Sequence, residues 1–141
     1  MNETPNRVTV IEDGSAAYAQ SITIGRHLLM ADEPQSRGGQ DAGPSPYDYV
    51  LAGLGACTAI TVRMYVQRHN WLLTRTTVDL WHEKISSTDG AAVIDRFHRA
   101  IRFEGDLTNE QRSRLRQIAE HCPVSETLRH VSIVETAEAI S

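Results

Sequence analysis

An α+β fold with mostly antiparallel strands is predicted by three features of the sequence. Strand-like segments flank one long helical stretch, the strands pair across short glycine-containing turns, and helices do not alternate strictly with strands as in a doubly wound sheet. At 141 residues the chain is expected to form a single domain, 1–141, whose core needs no disulfide scaffold or metal.

The first two strands are expected over 7–11 and 18–24, separated by the turn signal Glu12, Asp13, Gly14 and Ser15; a third, over 26–30, follows Gly25. Residues 31–46 are too rich in Gly, Pro and polar side chains for regular structure. A loop of that length more often carries function than mere connection. Ser45 then predicts a helix N-cap, Pro46 the first helical position and Asp48 the return partner of the cap, with the helix running to about Arg68. Val50, Leu54, Cys57, Thr61 and Met64 recur at helical spacing and are expected to share the buried face. Gly53, Gly55, Ala56 and Ala59 leave room for another element to approach. Residues 77–85 and 93–103 predict a strand pair across 86–90. In the second of these, Phe97, Ile101 and Phe103 alternate with Arg96, His98 and Arg102. Thr108 and Gln111 form a capping box for a second helix bearing Leu115, Ile118, Ala119 and Cys122 on one face. Pro123 forbids smooth continuation, so a short helix is expected over 124–129, followed by a last strand over 131–135.

Composition narrows the function classes. Hydrophobic residues at 40% and charged residues at 23% are ordinary for a globular protein, and no uninterrupted apolar run approaches the roughly 18 residues of a membrane span. A net charge of −4 without a basic stripe argues against nucleic acid as a partner. The first seven residues lack the charged, apolar and small-residue regions of a signal peptide, so a cytoplasmic location is expected, where an isolated cysteine pair is more often catalytic or free than structural.

The chemistry rests on the two cysteines. The thiolate is the reactive form, and a helix N-terminus or a guanidinium favours it. By that argument alone Cys122, at the N-cap of the helix opened by Pro123, is the better nucleophile. Cys57 lies within a helix and needs an outside cation, for which Arg37 in the Gly-rich loop is preferred and Arg26 is the weaker choice. Against these stands the plain reading of Cys57 as a small core hydrophobe. Asp48 either orients the arginine or simply caps its helix, and Tyr47 either donates a hydrogen bond near a substrate or packs. His121 diverges from its neighbour Cys122 by about 100 degrees on a helix and makes a poor general base for it. The remaining histidines show no metal-ligand spacing, and no phosphate loop or nucleophile elbow is present.

Residues 43–65, GPSPYDYVLAGLGACTAITVRMY, together with residues 118–128, IAEHCPVSETL, closely resemble the OsmC/Ohr family of osmotically inducible and organic hydroperoxide resistance proteins. Ala31 to Pro34 and Gly105 to Leu107 fit the OsmC-like branch. The resemblance implies a cysteine-based peroxidase reducing organic hydroperoxides, acting as an intertwined homodimer with no bound cofactor and with an external dithiol, often a lipoyl group, as reductant. It implies Cys57 as the peroxidatic cysteine and Cys122 as the resolving one, the reverse of the helix-terminus argument, and Arg37 as the arginine that stabilises the thiolate. One position departs: family peroxidases carry a glutamate directly after the proline that opens the central helix, where this chain has Tyr47, with Asp48 one residue later. A second reading follows from that departure, a redox-sensing or small-molecule-binding dimer with weak or no peroxidase activity.

Overall fold

The computed structural model describes residues 7–139; the part of the N-terminal reading that concerns 1–6 lies outside them. Five strands and three α-helices follow the order β1 (Val8–Glu12), β2 (Gln20–Ile24), β3 (His27–Ala31), α1 (Pro46–His69), β4 (Leu72–Ser86), β5 (Val93–Asp106), α2 (Asn109–Glu120) and α3 (Pro123–Arg129). The fold class is α+β, as expected. Two compact units divide the chain between Val50 and Leu51, within α1.

In the N-terminal unit, β1, β2 and β3 form an antiparallel sheet in that order, with Val8 opposite Ile24 and Ser21 opposite Met30. The β2–β3 turn uses Gly25 at φ 57°, in the left-handed region that glycine enters without a Cβ penalty. The following loop contains one 3-10 turn, Gln35–Arg37, and is organised by Asp32. That carboxylate is buried and accepts backbone N–H bonds from Glu33 at 2.8 Å and from Gln40 and Ala42 at 3.1 Å each. Its own burial raises the Asp32 pKa, and the bonds from Ala42, Glu33 and Gln40 overcome this and hold it below the ordinary carboxylate value. At the start of α1, Asp48 Oδ2 accepts from the Ser45 backbone N–H (3.0 Å) and Ser45 Oγ accepts from the Asp48 N–H (3.4 Å), the reciprocal cap the sequence predicts. The Tyr49 hydroxyl donates to the Met30 carbonyl.

In the C-terminal unit, β4 and β5 form a long antiparallel ribbon, Leu72 opposite Asp106 and Ser86 opposite Val93. Both strands extend beyond their sequence-predicted limits, because the residues added to one, Thr74 excepted, pair with the other. The register shifts between Leu73 and Arg75 opposite Gly105, whose φ of 146° and tight approach to the Leu72 carbonyl mark a β-bulge. Val62, Val66, Leu73, Phe103, Leu115 and Ala119 make the core, with Tyr65, Trp71, Ile101 and Leu107 packed against it. Thr108 and Gln111 cap α2 reciprocally.

Two expectations are corrected. The buried residues of α1 in this unit are Leu54, Gly55, Thr58, Val62 and Val66, whereas Val50 and Met64 are exposed. The stripe follows a spacing of four along 54, 58, 62 and 66, so Thr58, not Cys57, occupies its centre; Gly55 admits Leu80, whose Cδ1 lies 2.7 Å from where a Cβ would stand. The last strand is absent: residues 131–139 have no regular structure, and Val131, Ile133 and Val134 are almost fully exposed. An alternating pattern suits a strand, but a strand exists only where a neighbour supplies its hydrogen bonds, and no strand of the described residues pairs with this segment. Helix α1 also contains an 18-residue window of mean hydropathy 1.4, so by length and composition it could cross a membrane. Its buried stripe is instead packed as core.

Candidate thiol site

Three short stretches converge in the C-terminal unit: the middle of α1, the centre of β5, and the α2–α3 junction. Helix α1 carries Cys57, half-buried, and Thr58, fully buried. The junction carries Cys122, also fully buried, at the N-cap of α3, where Pro123 takes the first helical turn. Both cysteines are free thiols.

The Cys57 thiol lies close enough to Cys122 to act on its ionisation. The Val124 backbone N–H, at the start of α3, donates to Cys57 Sγ at 3.4 Å. The helix terminus that sequence reasoning assigned to Cys122 therefore serves Cys57, because the N-cap residue's own side chain makes no capping bond and the first free N–H points across to α1. Cys122 has a different set of partners. Burial pushes its thiol pKa up, while the neighbouring Ser125, Thr58 and Cys57 together lower it from 9.0 to about 7. Thr58 Oγ1 stands 2.7 Å from the Leu54 carbonyl and 3.7 Å from Cys122 Sγ. Its hydroxyl proton can rotate from the carbonyl to the sulfur when the latter ionises.

Sequence reasoning missed Arg99. Its side chain, only 10% exposed, extends from β5 and donates through Nη1 to Thr58 Oγ1 (3.0 Å), the Ala119 carbonyl (2.8 Å) and Cys122 Sγ (3.8 Å). Through Nη2 it reaches the Glu120 carbonyl at 3.4 Å and the Glu120 carboxylate at 3.7 Å. Arg99 thus satisfies the open carbonyls at the end of α2, and the two N–H bonds of Nη1 are shared among Ala119, Thr58 and the Cys122 sulfur. The available signal was its parity: Arg99 falls on the same alternation as Phe97, Ile101 and Phe103, an arginine in step with a buried face.

Of the other sequence-predicted residues, Arg26, Arg37, Tyr47 and Asp48 lie in the N-terminal unit and His121 in the C-terminal one. Arg37 is well exposed, with Nη1 3.9 Å from Glu33 Oε2. Asp48 is engaged in the Ser45 cap, its plainer sequence reading, and Tyr47 is exposed. His121 pairs with Glu126 at 2.8 Å rather than with its neighbour Cys122. Beside the thiols opens a cavity of about 390 Å³ with apolar walls from Leu54, Ile85, Ile94, Phe97 and Leu128. Asp95, Arg96, Arg99, Ser125 and Arg129 complete its lining, so half of the wall is polar or charged, and Arg99 also meets Cys122. Among the described residues, no three His, Cys, Asp or Glu side chains gather as metal ligands would.

A half-buried thiol beside a buried, acidified one, on this scaffold of ribbon and helices, defines an α+β protein with a two-cysteine site. The chain belongs to the OsmC-like protein family, whose model matches residues 38–137. A comparison with curated protein sequences returns no match. Among solved structures, the chain is similar to an OsmC-like protein from Mycoplasma pneumoniae (13% identity, TM-score 0.74, covering 92% of this chain and 91% of that one). It is also similar to an organic hydroperoxide resistance protein OsmC from Legionella pneumophila (15%, 0.68, covering 92% of each). A third is the organic hydroperoxide resistance protein OhrB of Bacillus subtilis (19%, 0.63, 89% and 91%). At these identities the likeness establishes the fold.

Proposed function

We propose that this chain is a thiol peroxidase that reduces organic hydroperoxides in defence against oxidative stress. The observation that carries the reading is the division of labour between the thiols: Cys57 is half-buried, Cys122 is wholly enclosed, and both meet the start of α3, Cys57 through the Val124 N–H and Cys122 as its N-cap. In the reaction, Cys57 thiolate attacks the terminal peroxide oxygen; the O–O bond breaks, the alkoxide leaves and is protonated to alcohol, and Cys57 becomes a sulfenic acid. Cys122 thiolate then attacks that sulfur, expelling hydroxide as water and forming the Cys57–Cys122 disulfide. Membership of the OsmC-like family, and the hydroperoxide resistance named for the Legionella and Bacillus neighbours, support this chemistry. The adjoining cavity sets apolar side chains, which suit an organic substituent on the peroxide, beside the charged Asp95, Arg96, Arg99 and Arg129.

Arg37 enters this reading as the thiolate-stabilising arginine on the family resemblance. An external dithiol, of lipoyl type in the resemblance, closes the cycle, and the location is cytoplasmic. The exposed apolar side chains of Val131, Ile133 and Val134 support a homodimer in which a second copy covers them. The test is steady-state reduction of cumene hydroperoxide with dithiothreitol as reductant: turnover vanishes in Cys57→Ser, and equal turnover in wild type and variant refutes the assignment.

The alternative, a redox-sensing or small-molecule-binding dimer, is favoured by Tyr47 in the family's glutamate position and by the use of Asp48 as a helix cap. In the peroxidase reading Tyr47→Glu raises an already measurable rate. Under the alternative, wild type shows no turnover above free thiol.

A further inference from the structure

The geometry points to Arg99 as a catalytic residue of the reducing half-reaction: its guanidinium receives the charge that develops on Cys122 when an external thiolate opens the Cys57–Cys122 disulfide, so that reductant enters at Cys57. This rests on the disulfide of the proposed function and adds the direction of its reduction.

Three observations carry it. Cys122 has no exposed surface, whereas Cys57 does, so an incoming thiolate reaches the Cys57 sulfur. Arg99 Nη1 already lies 3.8 Å from Cys122 Sγ, while the same guanidinium is held in place by the Ala119 and Glu120 carbonyls and the Glu120 carboxylate. The guanidinium is held by the end of α2 and by Thr58, and needs little reorganisation when charge appears beside it. Leaving-group stability governs which sulfur departs in thiol exchange.

The electron count closes. The incoming thiolate sulfur bonds to Cys57 Sγ as the Sγ–Sγ bond breaks, and that bonding pair leaves on Cys122 Sγ, beside Arg99. The reductant's second thiolate then attacks its own sulfur in the mixed disulfide and displaces Cys57 thiolate. Two electrons have passed to the protein, and the reductant leaves as a disulfide. A buried arginine between Phe97 and Ile101 on one face of β5, tied to a sulfur and to helix-end carbonyls, is more than a helix cap needs, because the α2 carbonyls occupy only part of its donor set.

The experiment forms the disulfide with diamide, independently of peroxide, and follows its reduction by dithiothreitol under pseudo-first-order conditions in wild type, Arg99→Met and Arg99→Lys. Arg99→Met is expected to slow reduction about tenfold and to lower the reduction potential by about 30 mV, the equivalent of a tenfold change in equilibrium constant, because the reduced form loses its stabilising charge. Arg99→Lys, which keeps the charge and guards against loss of folding in the methionine variant, recovers most of both. Quenching wild type partway through reduction by 2-mercaptoethanol, with peptide mass mapping, places the adduct on Cys57. An adduct on Cys122, or reduction and potential unchanged in both variants, overturns the inference alone. Failure of diamide to link Cys57 to Cys122 overturns it together with the disulfide step of the proposed function.

Discussion

Replacing Thr58 by Val changes one buried hydroxyl to a methyl of nearly the same size, and the structure shows what that hydroxyl supports. Its oxygen accepts from Arg99 at 3.0 Å, donates to the Leu54 carbonyl at 2.7 Å and meets Cys122 Sγ at 3.7 Å. The bond from the guanidinium is charge-assisted, and its loss at a buried site costs about 1.5–3 kcal/mol. The Leu54 carbonyl belongs to the α1 hydrogen-bond ladder and loses little when the side chain goes. Arg99 Nη1 keeps the Ala119 carbonyl, so the cost falls at the lower end, about 2 kcal/mol. For a chain of 141 residues this corresponds to a fall in Tm on the order of 5–10 °C. The same change removes one of the bonds that lower the Cys122 thiol, so its pKa moves upward from about 7. Thermal melting by circular dichroism and thiolate absorbance across a pH titration measure the two effects in one variant. A valine variant that melts with wild type and titrates at the same pH refutes the description of Thr58 as the bridge between guanidinium and sulfur.

Three other outcomes follow from separate parts of the structure. With the Cys122 thiol at about 7 when folded and 9.0 as an ordinary thiol, the folded chain binds fewer protons between those values. Stability, read by urea unfolding under reducing conditions, therefore rises with pH from about 7 to about 9 and that increment is lost as pH falls through about 7; Cys122→Ala removes it. Asp32→Asn leaves the three loop N–H groups without an anionic acceptor, so the amides of Gln40 and Ala42 exchange with solvent faster while those of the β4–β5 ribbon keep their protection. Gly105→Ala forces a Cβ into the Leu72 carbonyl at a positive φ, and is expected to lower stability by more than about 2 kcal/mol, against the roughly 1 kcal/mol of an ordinary substitution.

Local signals in the sequence located most elements. Ser45, Pro46 and Asp48 marked the start of α1 because a helix cap is chemistry among neighbours in the chain, and Thr108 with Gln111 marked α2 for the same reason. Cys122 and Pro123 gave the break between α2 and α3. What depends on distant neighbours was harder to read. The buried stripe of α1 lies on Leu54, Thr58 and Val62 because β4, β5 and α2 cover that side, and the apolar residues spaced along the helix fitted more than one face. Val131 to Glu135 has the alternation of a strand but lacks a partner in the described chain. The cysteines were legible as a pair through the family resemblance, yet the crossing of the α3 terminus to Cys57 and the arrival of Arg99 at Cys122 are products of how α1, β5 and the α2–α3 junction meet. An arginine on an inward parity of β5 is a clue that sequence alone offers, and one that carries meaning only once its neighbours are known.

The central claim is that Cys57 and Cys122 work as one site, attack at the first and resolution at the second. Reduced protein treated with one equivalent of cumene hydroperoxide, then alkylated and mapped by mass spectrometry, tests it most directly. The account predicts loss of both thiols and a Cys57–Cys122 disulfide in wild type, and a Cys57 sulfenic acid captured by dimedone in Cys122→Ser. Both thiols alkylated after peroxide, or a sulfenic acid on Cys122 in Cys57→Ser with turnover retained, would contradict it.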